Sequence, residues 1–189
     1  MDYNSIKMEA LTDEKIMMEV KNGNKDYFNQ ILDRHYKSIL NYAYRISGNK
    51  ALSEDIAQDT FSKIYFAAKR YKPTAPFKVF LYTVAFRESI KALRKNKKHI
   101  ALNDMMVLPS TDNPSKNLED KDTSLLVRNA ILKLEPKYRS AIILREYNNL
   151  TYEEIAKVLK CSLANTKNYI FRAKEKLREL LIPVLRGAL

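Results

Sequence analysis

Glycine, cysteine and histidine are scarce in this chain of 189 residues, and tryptophan is absent. Three glycines leave no room for a Gly-rich phosphate loop. The single cysteine, Cys161, excludes an internal disulfide framework. Two distant histidines, His35 and His99, supply no metal cluster, so neither metal nor cofactor is expected. No apolar run approaches the ~18 residues of a membrane span, so no membrane insertion is expected. The opening MDYNSIKMEA lacks the basic start and apolar stretch of a secretion signal, which points to a cytoplasmic protein. No segment alternates like a strand between hairpin turns, which leaves an all-α reading.

What is abundant is positive charge. Lysine and arginine number 34 against 22 acids, a formal net charge of +12. Such an excess suits an anionic partner: nucleic acid, an acidic protein or an anionic surface. The charge is unevenly spread, at +8 over residues 1–98, −3 over 99–126 and +7 over 127–189. The acidic stretch also gathers Pro109, Pro114, serine and asparagine, and so buries little apolar surface. This predicts two small helical domains, residues 1–98 and 123–189, joined by a linker over 99–122.

Helical periodicity fills both halves. Thr12 opens a helix that ends at Asn22-Gly23-Asn24, and a second carries Phe28, Ile31, Leu32, Tyr36, Ile39, Leu40, Ala43 and Tyr44 before Ser47-Gly48. Ser53 is expected to cap a third helix, burying Ile56, Ala57, Thr60, Phe61, Ile64 and Ala68. Lys72-Pro73-Thr74-Ala75-Pro76 breaks the chain before a fourth helix with Phe77, Phe80, Leu81, Val84 and Ala85 inward. Past the linker, Leu125, Leu126, Ala130, Ile131 and Leu134 form a short stripe, and Pro136 suits the first position of the next helix.

Thr151-Tyr152-Glu153-Glu154 reads as a capping box ahead of Ile155, Ala156, Val158 and Leu159. A tight turn, Lys160-Cys161-Ser162, then leads into a long helix with Leu163, Thr166, Ile170, Ala173, Leu177 and Leu180 inward, expected to end near Pro183. Two helices around a three-residue turn form a helix-turn-helix, whose second helix can enter the major groove. Its outer face bears Asn165, Lys167, Asn168, Phe171, Arg172 and Lys174. Amides read base edges and cations neutralise phosphates. A solvated helical hairpin would show the same capping, so the motif alone leaves both readings open. Cys161 reads as a small turn residue and not a redox sensor.

In the first half, Ser53-Glu54-Asp55-Ile56-Ala57-Gln58-Asp59-Thr60-Phe61, preceded by Asp26-Tyr27-Phe28 and Gly48-Asn49, resembles sigma factors of bacterial RNA polymerase. In the second, Leu134-Glu135-Pro136-Lys137-Tyr138-Arg139, Leu150-Thr151-Tyr152-Glu153-Glu154-Ile155-Ala156 and Arg172-Ala173-Lys174 do the same. The likeness is to the small extracytoplasmic-function (ECF) group of the sigma-70 family and covers nearly all but the linker. It implies a region 2 helical bundle followed by a region 4 helix-turn-helix bundle.

It also implies roles. Asp55, Gln58 and Asp59 would face a coiled coil of the largest subunit of core RNA polymerase. Lys69, Tyr71, Lys72, Arg87, Lys91 and Arg94 would hold melted, single-stranded minus-ten DNA, while the helix-turn-helix would read minus-thirty-five duplex. The resemblance further implies regulation by an anti-sigma factor and a place on the nucleoid when polymerase-bound. The sequence departs from the family's pattern at several positions. Phe80 stands for a usual tryptophan, Arg87 for asparagine, Lys91 for aspartate, Lys160 for glycine, and Asn165-Thr166 for threonine–valine. Two other readings are kept in view: a free-standing helix-turn-helix regulator, and a basic helical adaptor.

Overall fold

The computed structural model describes the backbone of residues 11–102 and 118–186. Among these residues the chain is helical and contains no strand. The first lobe holds α1 (Asp13–Lys21), α2 (Phe28–Ser47), α3 (Lys50–Ala67) and α4 (Phe77–Leu102). The second holds α5 (Leu118–Leu132), α6 (Pro136–Glu146), α7 (Tyr152–Leu159) and α8 (Leu163–Arg186). The all-α, two-lobed expectation stands. Helix α4 runs past residue 98 and α5 begins before 123, while Pro109 and Pro114 of the expected linker lie outside the described residues.

Local chemistry sets most boundaries. Thr12 accepts the Lys15 amide and starts α1. Gly48, at φ +70°, closes α2 in the left-handed region, and a Cβ there would come within 2.7 Å of the Leu132 side chain. Asn49, and not Ser53, caps α3, its side chain accepting the Leu52 amide at 2.9 Å. Ser53 is instead buried one turn inside and donates to the Lys50 carbonyl. Pro183 does not end α8, which continues to Arg186. A proline removes one backbone donor and crowds the preceding turn, a cost a frayed last turn can absorb.

Isoleucines 16, 31, 39, 46, 56 and 64 are fully or almost fully buried in the first lobe with Tyr42, Phe77 and Leu81. Each such side chain contributes roughly 1.5–3 kcal/mol by leaving water. Ile143, Leu144, Leu150, Ile155, Val158, Ile170 and Ala173 form the second core. Two stripe assignments are corrected: Leu125 is half exposed, and Leu163 stands 38% exposed at the start of α8. Leu163 is the first residue of α8, whereas Leu125 lies mid-helix on the outer side of α5.

The lobes pack on each other, α2 against α5 and α6, α4 against α7. Arg139 is buried and donates to the carbonyls of Leu132 and Leu134 in its own lobe and of Ile46 across the junction. Arg128 donates to the Gly48 carbonyl at 2.9 Å while its guanidinium lies over the Tyr44 ring. The Tyr82 hydroxyl joins Ser38 and Asn148, each at 2.7 Å, and Lys78 donates to the Asn149 carbonyl. Of these, Arg139 and Arg128 serve carbonyls at the C-terminal end of α2, which the helix itself leaves without donors.

Candidate nucleic-acid interface

The supporting helix α7 is short, and its start is over-determined. The Thr151 hydroxyl accepts the Glu154 amide at 3.1 Å, and the Glu154 carboxylate accepts the Thr151 amide at 2.8 Å. Ile155 and Val158 turn inward. Lys160 then adopts the left-handed conformation, φ 53°, which the usual glycine of this turn would take without strain. Ser162 caps α8 through the Asn165 amide at 3.1 Å.

Thr166, Ile170 and Ala173 fix one side of α8 against the core, and Tyr169 packs edge-on with Tyr138 of α6 at 5.5 Å. The opposite side is open. Asn165, Asn168 and Arg172 make one stripe at spacings of three and four; Lys167, Phe171 and Lys174 make the adjacent one. All six are exposed, and Phe171 shows 58% of its surface. Lys174 pairs with Glu146 at 3.0 Å, with both side chains about half exposed, so the pair leaves the lysine usable. Every residue expected at the upstream interface therefore sits on one free helical face.

In the first lobe, Asp55, Gln58 and Asp59 are exposed on α3, and Ile56, Ala57 and Thr60 behind them are buried. Beside these acids runs an aromatic shelf. Tyr36 stacks on Phe61 at 5.8 Å, Tyr65 packs edge-on with Phe66, and Phe66 is 76% exposed. Gln58 and Glu54 border this shelf. Sequence reasoning missed it, placing Tyr36 in the core stripe; the signal was Phe66, an aromatic outside any inward stripe.

The expected downstream set divides. Arg87, Lys91 and Arg94 are exposed on α4 and line one groove with Phe86, Ile90 and Leu93; its far wall is Glu135, Pro136 and Lys137 of the other lobe. Lys69 and Lys72 stand exposed elsewhere, and Lys72 borders a small recess with Arg70, Thr74, Ala75 and Phe80. Tyr71 is a correction. It is only 5% exposed, packed against Phe77 and Phe80, and its carbonyl accepts from Lys21 of α1. Burial, with Glu14 and Asp13 nearby, pushes its phenol up to about 12. It is a core residue here, and only its small exposed remainder lines that recess.

A two-lobed helical protein with an exposed helix-turn-helix on one lobe is, by fold, a DNA-binding protein. Sigma-70 region 2 matches residues 31–99, and sigma-70 region 4 matches residues 124–177. The chain is 30% identical over 159 residues to RNA polymerase sigma factor YlaC of Bacillus subtilis, covering 82% of this chain and 92% of that protein. It is 29% identical over 185 residues to ECF RNA polymerase sigma factor SigW of the same organism, covering 92% and 98%. The sigma factor RpoE of Bartonella quintana, solved in complex with the anti-sigma factor NepR, superposes with a TM-score of 0.68 at 25% identity over 82% of this chain and 96% of that one. The chain belongs to the sigma-70 family of RNA polymerase sigma factors, in its ECF group, and directs transcription initiation.

Proposed function

We propose that this chain docks on the largest-subunit coiled coil of core RNA polymerase through Asp55, Gln58 and Asp59, with the neighbouring aromatic shelf as the apolar floor of that contact. The upstream duplex is read by α8: Asn165 and Asn168 at base edges, Phe171 against a thymine methyl, and Lys167, Arg172 and Lys174 on phosphates. Downstream, Arg87, Lys91 and Arg94 hold the strand backbone, Lys72 borders the recess in which an opened base would sit, and the exposed Lys69 adds charge for the backbone. The protein performs no covalent chemistry. Strand capture is driven by binding, since stacking returns roughly 1–3 kcal/mol per base. Its place of work is the nucleoid in the bacterial cytoplasm, and an anti-sigma factor of its own is the expected regulator.

The observation that carries this reading is the pairing of two exposed sets on one chain: carboxylates on α3 of a strongly basic protein, and an amide-and-cation face on α8. A free-standing regulator would need the second but has no use for the first. Run-off transcription with purified core polymerase on promoters from its own genome is the direct test. Transcripts starting at discrete sites only when the protein is added are expected. Tight duplex binding with no stimulation of core would favour the regulator instead.

A further inference from the structure

Glu88 lies on α4 yet is only 6% exposed. Its Oε1 is paired with Lys63 of α3, while its Oε2 is buried without a hydrogen-bond donor. The nearest cation, Lys91, stands 3.9 Å from Oε2, beyond hydrogen-bond distance, with its own side chain 69% exposed. A carboxylate oxygen removed from water and given no donor is costly to keep. Glu88 lines a groove with Asp55, Gln58 and Asp59 on the α3 wall and Lys91 and Lys95 beside it on the α4 wall, Oε2 itself lying below the surface.

We propose that Glu88 is a third carboxylate of the polymerase-docking face, presenting Oε2, once Lys91 swings aside, to an arginine guanidinium of the docking partner. The inference rests on the docking role given above to Asp55, Gln58 and Asp59, and extends it across the groove to α4. Three observations select this ligand. The acids on both walls call for a cation. Among the described residues no group of three or more histidine, cysteine or acidic side chains could hold a metal ion, so the cation arrives on a side chain. A guanidinium carries five donors in a fixed fork, enough to bond Oε2 while engaging an α3 acid at the same time. Lys91 is then released towards DNA phosphate, because the partner's charge replaces its own beside Glu88.

The test uses the full-length protein, fluorescently labelled and titrated with purified core polymerase, alongside binding to upstream duplex. Glu88→Gln keeps the shape and removes the charge; it should weaken core binding by about fivefold or more, as loss of a charged hydrogen bond does, and leave duplex binding unchanged. Lys63→Gln breaks the internal pair while sparing the carboxylate; it should lower stability, since Glu88 is left buried without its partner, yet in the folded protein leave core affinity within about twofold. Equal losses in both variants would mean the pair only holds α3 to α4, and would overturn the proposal. Asp55→Asn/Asp59→Asn separates the two layers. If it weakens core binding while Glu88→Gln does not, the inference fails and the docking role stands; if neither weakens it, both fail. Should Glu88→Gln not fold, Glu88→Asp, which withdraws the carboxylate by one methylene, carries the same comparison: a loss of core affinity supports the proposal and none overturns it.

Discussion

Tyr71 illustrates how a single side chain can be misread from its neighbours. The run Tyr65 to Lys72 interleaves aromatics and cations, the pattern of a stacking platform, yet the aromatic nearest the expected base-capturing loop, Tyr71, is buried while Phe66 and the cations reach solvent. The ring is taken by Phe77 and Phe80, partners from the next helix that no local pattern announces. Its hydroxyl has no hydrogen-bond partner, so Tyr71→Phe removes a buried polar atom and should change stability at pH 8 by no more than about 1 kcal/mol. The pH dependence has a definite sign. A phenol held at about 12 in the fold and at 10.0 when exposed stabilises the fold fully below pH 10 and loses that contribution as pH rises through 12. Urea midpoints at pH 8 and pH 11 should therefore fall less for Tyr71→Phe than for the parent. An equal fall would show that Tyr42 and Tyr82, also raised by burial, dominate.

On the α8 face the residue types make separable forecasts. Arg172→Ala should weaken upstream duplex binding on every sequence and reduce the salt slope by about one. Asn165→Ala or Asn168→Ala should cost about 1–3 kcal/mol at one base pair and relax preference there. Fluorescence anisotropy across a salt series, with single-base-pair variants of the site, checks both; a uniform loss for the asparagines would remove them from base readout.

Among the elements, the helix-turn-helix was the most legible, because its information is local: the capping box at Thr151, the inward Ile155 and Val158 and the Ser162 cap all lie between residues 151 and 165. The start of α3 was less so, since Asn49 and Ser53 are both competent caps one turn apart, and the choice follows from where Gly48 turns the chain. The aromatic shelf was not legible, because α2 and α3 must first be packed before Tyr36 and Phe66 share a surface. The strained position in the turn offers a direct check on the element. Lys160→Gly relieves a left-handed conformation that costs a side-chain-bearing residue roughly 1–2 kcal/mol, offset in part by glycine's greater freedom when unfolded. A net stabilisation of about 0.5–1 kcal/mol is expected in denaturant melts. Thr151→Ala should act in the opposite direction by about 1 kcal/mol, through loss of the cap.

The whole molecule is closed in a way that its charge distribution and linker composition did not disclose. Arg128 and Arg139 complete the end of α2, Gly48 gives Leu132 its seat, and α7 leans on α4. The closed form also sets Glu135, Pro136 and Lys137 against Arg87, Lys91 and Arg94, the residues assigned to downstream DNA. If those three cations hold downstream DNA as proposed, the lobes must part on binding, and the junction must be weak enough for core polymerase and promoter to open it. Its polar contacts are arginines on carbonyls, a shared tyrosine hydroxyl and a lysine on a loop, set beside apolar packing that joins the two cores. With a donor dye on α2 and an acceptor on α8, transfer efficiency should be high for the free protein and fall on adding core polymerase with promoter. Arg128→Ala, which removes a junction bond without touching the carbonyls that Arg139 serves in its own lobe, should lower transfer in the free protein while leaving upstream duplex binding intact. Transfer that stays high in an actively transcribing complex would mean that both elements are reached with the lobes still joined, and the closed arrangement would then have no part in controlling initiation.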